Sequence, residues 1–135
     1  MTNLSVLVAI TDLFFLSKIR TALESQGCTI RVATKSEQIL KEALAQKPSL
    51  IVLDLGLPAL DPVRLVEELR GNPELHTLPV LGYTNHTQVP YWEEKLNDKT
   101  TKVVPNSYIS SNITRIISLA NQLFNTQVFP EDTQS

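Results

Sequence analysis

The chain has one cysteine, one methionine, one tryptophan, two histidines and four glycines in 135 residues. With Cys28 alone no internal disulfide can form, and its setting in Cys28-Thr29-Ile30-Arg31-Val32 marks a small strand side chain rather than a reactive thiol. His76 precedes an apolar run and His86 follows Thr84, neither with metal-ligand spacing around it. No apolar run approaches the length that crosses a bilayer, and Met1-Thr2-Asn3-Leu4 carries neither a charged leader nor a cleavage site, so no membrane association and a cytoplasmic location are expected. Excess positive charge is also missing. Twelve Lys and Arg against fourteen Asp and Glu give a net charge of -2, which leaves no electrostatic footprint for nucleic acid.

What is present suits one packed domain. Apolar residues are 42% and charged residues 19% of the chain, which argues against disorder. Leu4 to Ile10 contains a continuous apolar run, as expected of a strand covered on both faces. After Asp12 the period changes: Phe15, Ile19 and Leu23, with Leu16 and Ala22 beside them, recur at helical spacing, and Gly27 ends the helix. Cys28 to Ala33 predicts a second strand. Thr34-Lys35-Ser36-Glu37 resembles a capping box opening a helix through Ile39, Leu40, Ala43 and Leu44. Pro48 separates that helix from Leu50-Ile51-Val52-Leu53, a third strand closed by Asp54.

Asp61-Pro62 then suits a cap and first helical position, with Leu65, Val66 and Leu69 as the apolar face and Gly71 as the end. Leu78 to Tyr83 predicts a fourth strand, Val89 to Leu96 a fourth helix, and Lys102 to Pro105 a fifth strand. Ile113, Ile116, Ile117, Ala120, Leu123 and Phe124 form one amphipathic stripe for a last helix. Residues 125–135 read as a flexible polar tail after a domain of residues 1–124.

Five strands alternating with five helices predict an α/β fold: a doubly wound, five-stranded parallel sheet whose right-handed crossovers cover both faces. Its functional edge, at the carboxyl ends of the strands, gathers Ile10 to Asp12, Asp54 to Leu57, Tyr83 to Asn85 and Pro105 to Ser107. An enzyme binding a flavin or nucleotide on this topology would need a glycine- or hydroxyl-rich loop after the first strand. Ile10-Thr11-Asp12-Leu13-Phe14 has no glycine and ends in bulky residues, so no enzyme of that kind is expected.

Those four segments, in this order, resemble the receiver domain of two-component response regulators over roughly residues 4–124. The resemblance implies a CheY-like, flavodoxin-like arrangement with strand order 2-1-3-4-5. It implies that Asp54, in Leu53-Asp54-Leu55-Gly56-Leu57-Pro58, is the acceptor of a phosphoryl group from a histidine kinase, and that Thr84 carries the switch. The family also places two adjacent acids after the first strand, where they hold Mg²⁺, and a Lys after the fifth. Here Ile10 and Thr11 stand at the acid positions and Asn106 at the Lys position. Asp12, one residue late, is either a Mg²⁺ ligand together with Asp54 or an ordinary helix N-cap. Lys102 enters at the opposite end of its strand and reads as a solvated flanking charge.

Phosphoryl transfer depends on positioning and charge stabilisation. These departures therefore predict a degenerate, pseudo-receiver pocket in which Asp54 is phosphorylated slowly or not at all. The alternative is a working phosphoacceptor, with Asp12 and backbone oxygens holding the metal. No cofactor other than Mg²⁺ enters either reading. The sequence leaves no length after Phe124 for an output module, so a stand-alone protein acting on a histidine kinase, a downstream target or a second copy is expected. The resemblance places such contacts on the fourth helix, fifth strand and fifth helix, at Tyr91, Trp92, Val104 and Tyr108, with Tyr108 where the family's switch-surface aromatic is found. An aromatic such as Trp92 at helical spacing also reads as core. Of Phe14 and Phe15, one must face the sheet while the other lies beside the pocket.

Overall fold

The computed structural model describes residues 4–124. Strands β1 (Leu4–Ala9), β2 (Cys28–Val32), β3 (Leu50–Asp54), β4 (Val80–Thr84) and β5 (Thr101–Pro105) form one sheet in the order β2-β1-β3-β4-β5. Every neighbouring pair is parallel, as the alternation of elements requires. Helices α1 (Leu13–Glu24), α2 (Ser36–Ala45), α3 (Pro62–Arg70), α4 (Val89–Lys95), α5 (Asn106–Ser111) and α6 (Ile116–Leu123) connect and cover the strands.

Side chains alternate across the sheet and divide the interior in two. Leu7, Ala9, Ile51 and Leu53 pack on one face with Ile39 of α2 and Leu65 and Leu69 of α3. Val6, Val8, Leu50 and Val52 pack on the other with Ile19 and Leu23 of α1 and Ile116 and Ala120 of α6. Two buried faces explain why β1 and β3 read as unbroken apolar runs rather than alternating ones. Ile10 falls just outside β1, and Leu78 and Pro79 just outside β4. Gly27, at φ 87°, takes the left-handed conformation that ends the α1 connection, as its place in the sequence suggests.

Two local expectations are corrected. The last helix opens with a 3₁₀ turn, Ile113–Arg115, before α6 begins at Ile116, and a separate short helix, α5 at Asn106–Ser111, precedes it. Asn112 separates α5 from that turn. Its backbone N–H donates to Ile109 O at 3.1 Å, its side-chain oxygen accepts from Arg115 Nη2 at 2.7 Å, and its side-chain amide donates to Tyr108 O at 2.8 Å. The apolar stripe still works, since Ile116, Leu119, Ala120 and Phe124 are all buried. The other correction is at α2, where the capping box does not form: Lys35 occupies the cap without a side-chain bond. The Ser36 hydroxyl instead accepts from the Asp61 backbone N–H at 3.0 Å, and Gln38 Oε1 reaches back to Thr34 N–H at 3.3 Å. The proposed tail after residue 124 and the side chain of Ile117 lie outside what is described.

At the edge of the sheet remote from the carboxyl ends, Arg70 ties α3 to the start of β5. Its guanidinium donates to Leu78 O at 2.8 Å, Thr100 O at 3.1 Å, Thr101 Oγ1 at 2.8 Å and Asp98 Oδ2 at 3.1 Å. Partial burial pushes the Asp98 carboxyl up. Hydrogen bonds from Arg70, Thr101 and the Thr100 N–H, with the Arg70 charge, outweigh this and hold it below the ordinary 3.8.

Arg70→Met keeps the aliphatic stem and strands these acceptors, and is expected to lower the unfolding free energy by roughly 2–4 kcal/mol in a urea titration. A depressed carboxyl contributes stability above its unfolded pKa and loses it as pH falls through the folded one. Asp98→Asn should therefore be less stable than the parent at neutral pH, and the gap should close as pH drops below the ordinary value of 3.8.

Candidate functional site

Parallel strands all end on one side, so the connections leaving β1, β3, β4 and β5 meet at a common edge. Register then decides which residues are level: Asp54 lies opposite Tyr83, and Thr84 opposite Pro105. Between these strand ends, the start of α1 and the α5 segment lies a cleft of about 500 Å³. Strands β3 and β4 and the residues just after them contribute Asp54, Gly56, Tyr83, Thr84 and Asn85; α1 and its cap contribute Asp12, Phe14, Phe15 and Lys18; Asn106, Ser110 and Ile113 close the far side.

Asp54 is half-buried, and its Oδ1 accepts from the Gly56 N–H at 2.9 Å. The Asp12 side chain caps α1, with Oδ1 accepting from the Phe15 N–H at 3.1 Å, and lines the cleft as well. Ile10 and Thr11 do not line it. Ile10 is 1% exposed and packs in the core beneath α1, while Thr11 is exposed. Asn106, the first residue of α5, does reach the cleft and brings no charge. Thr84 is buried beside the cleft, and Asn85 uses its side-chain oxygen to accept from Gln88 N–H at 3.2 Å and Thr87 Oγ1 at 2.6 Å.

Aromatic rings form the wall. Phe15 lies 5.3 Å from Tyr83, tilted by 60°, whereas Phe14 is 72% exposed at the rim. Burial, then the charges of Asp54 and Asp12, push the Tyr83 hydroxyl well above its ordinary pKa, so it stays protonated. Gly82, one residue earlier on β4, passes so close to Leu55 that an added Cβ would stand 2.9 Å from the Leu55 side chain.

Sequence reasoning missed Lys18. Its Nζ lies 4.5 Å from the Phe14 ring centre, and it is the cation among the residues that line the cleft. The signal was the four-residue spacing from Phe14, which puts both on one helical face. For Mg²⁺ the cleft offers Asp12 and Asp54. Among the described residues no group of three or more His, Cys, Asp or Glu gathers in one place. That pair is a partial donor set for a hard octahedral cation.

The expected contact surface is only partly at the surface. Val104 is a correction: it is 5% exposed because its strand position points into the core under α1 and α6. Trp92 is half-buried against the opposite core, its ring 5.1 Å from Tyr91. Tyr91 and Tyr108 are 51% and 38% exposed, and Tyr108 lies on α5 outside the cleft. Among the described residues no helix is long and apolar enough to cross a membrane.

The family model of the response regulator receiver domain matches residues 6–117. The chain belongs to that family. It is a receiver domain of two-component signalling, with the sheet order expected of one. It is 44% identical over 52 residues to the KDP operon transcriptional regulatory protein KdpE of Escherichia coli, covering 38% of this chain and 23% of that protein. To the alkaline phosphatase synthesis transcriptional regulatory protein PhoP of Bacillus subtilis it is 35% identical over 68 residues, covering 50% of this chain and 28% of that protein. The match therefore spans about a quarter of each regulator's length. An uncharacterized 14.6 kDa protein of Leptolyngbya boryana is 27% identical over 108 residues, which is 77% of this chain and 82% of that one. Among solved structures, a putative response regulator from Chloroflexus aurantiacus superposes with a TM-score of 0.75 at 17% identity, covering 92% of this chain and 99% of that one. The chemotaxis response regulator CheY4 of Vibrio cholerae superposes at 0.72 with 15% identity, covering 88% and 99%. These likenesses show the fold.

Asp12→Ala removes a side-chain cap and is expected to cost about 1 kcal/mol of stability by chemical denaturation, while Asp12→Asn, an equally good cap, should retain most of it.

Proposed function

We propose that this receiver works by binding another signalling protein, and that its acidic pocket is impaired for Mg²⁺-dependent phosphorylation of Asp54. One observation carries the reading: Ile10, at an acid position of the family, is 1% exposed and turned into the core. No carboxylate replaces it at that spot. Phosphoryl transfer needs charge stabilisation around the acceptor, and here Asn106 adds none while Asp12 already holds the Phe15 N–H. The partner is a histidine kinase, a downstream target or a second copy, met through Tyr91, Tyr108 and the exposed part of Trp92. Such aromatics give large contact area at low ordering cost. We assign residues 1–124 to the receiver unit and 125–135 to a tail, place the protein in the cytoplasm, and assign it no enzymatic reaction and no nucleic-acid ligand.

The second reading is a working phosphoacceptor. What favours it is that Asp54, the Thr84 hydroxyl and the Lys18 ammonium all line one cleft. Intact-mass measurement after incubation with a small phosphodonor and Mg²⁺ separates the two. The first reading expects no stable added phosphoryl mass. A gain that is abolished in Asp54→Asn would establish the second.

A further inference from the structure

The cleft holds polar groups that nothing in the fold satisfies. Asp12 and Asp54 each use one oxygen, toward the Phe15 and Gly56 backbone N–H groups, and among the described residues neither is in an ion pair. Tyr83 and Thr84 are 5% and 6% exposed, line the cleft, and have no side-chain hydrogen-bond partner among the described residues. Neither hydroxyl oxygen is sealed off in the interior, so both side chains are held by the core while their polar atoms open on the cleft, free to bond what enters it. Phe15 and Ile113 add an apolar wall to this polar floor.

Charge selects the occupant. Two carboxylates face one ammonium, Lys18, which already rests on the exposed Phe14 ring at the rim. A phosphate or carboxylate ligand would meet net negative charge. We propose that the cleft binds a primary ammonium group carried on a short alkyl stem. An –NH₃⁺ group has three donors and no acceptor. The free oxygens of Asp12 and Asp54 and the hydroxyl oxygens of Tyr83 and Thr84 are acceptors on three separate elements, α1, β3 and β4. Phe15 and Ile113 cover the stem, and a volume of about 500 Å³ is of the size that holds small organic ligands. The inference deepens the reading of a cleft not committed to phosphoryl transfer. The ammonium comes either from a free alkylamine or from a lysine side chain of a bound partner.

The test is a titration of the ¹⁵N-labelled full chain with n-butylammonium chloride at constant ionic strength, followed by amide NMR shifts. Saturable shifts at Gly56, Tyr83 and Asn85 are expected, with a dissociation constant in roughly the millimolar range for so small a probe. Butyrate should give none. Asp54→Asn should weaken binding about tenfold, and Asp12→Asn, which keeps the cap, should weaken it as well. Lys18→Met should tighten it by roughly two- to fivefold, because a like charge is removed. Nα-acetyl-lysine N-methylamide tests the source: binding as tight as butylammonium points to a lysine side chain, and butylammonium alone to a free amine, and both support the proposal. Absence of saturable shifts with either amine, equal shifts with butyrate, or affinities unchanged in both Asp variants would overturn it. So would the same amide shifts with millimolar MgCl₂ and none with either amine, which would make the cleft a metal site. The phosphodonor measurement reads the separate claim. Unmodified protein that binds no amine defeats this inference alone, and phosphorylated protein that binds amine defeats only the earlier one.

Discussion

The parallel register of β3, β4 and β5 is the constraint from which the rest of the site follows. It sets Asp54 level with Tyr83 and Thr84 level with Pro105. Shifting any of these strands by one residue would turn its buried side chains to the wrong face. Leu53 and Val52 belong to opposite cores, so such a slip would disrupt both at once. The cleft is therefore held rigidly on the sheet side, and its chemistry is decided by which side chains the strand ends and α1 deliver.

At the first of those ends the chain places hydrocarbon. Ile10 completes the core beneath α1, together with Ile19, Tyr83 and Ile109. A carboxylate turned into that space would have to leave water without a cation to meet it. The carboxylates lining the cleft are Asp54 and Asp12, and Asp12 also holds the start of α1. Lys18 softens the remaining negative potential from the rim without closing on either carboxylate in an ion pair. Receiver topology is thus combined with a cleft whose lining carries two carboxylates and one ammonium.

Some of this was readable from residues alone, and the reasons differ by element. β1 and β3 are buried on both faces and so appear as plain apolar runs, while Asp61-Pro62 announces α3 through a cap that does form, with Asp61 Oδ1 accepting from Arg64 N–H at 3.3 Å. The apolar stripe from Ile113 located α6 but gave no sign of α5 before it, nor of the 3₁₀ first turn, where Asn112 bonds to Tyr108 O and Arg115. The supposed box before α2 failed for a nonlocal reason, since the Ser36 hydroxyl is taken by a backbone group on a different loop. Val104 could have faced either outward or inward on an edge strand, and only packing shows which. Asp12, Asp54, Thr84 and Asn106 do meet in one cleft, as strand order alone implies. Lys18 escaped notice because a lysine on an amphipathic helix ordinarily signals nothing more than solvent.

The bond from Asp61 N–H to Ser36 Oγ has a mechanical consequence. It staples the loop after Asp54 to the neighbouring crossover. With Leu57 N–H bonded to Asp54 O at 3.3 Å and Leu60 N–H to Leu57 O at 3.2 Å, that loop is folded onto itself as well. One jaw of the cleft is thereby anchored. The opposite jaw is a six-residue helix followed by a 3₁₀ turn, held by Ile109 in the core and by Gln26 Nε2, which donates to Thr114 O at 3.1 Å. The two jaws are thus secured by different means, one by the backbone of its own loop and the other by a buried isoleucine.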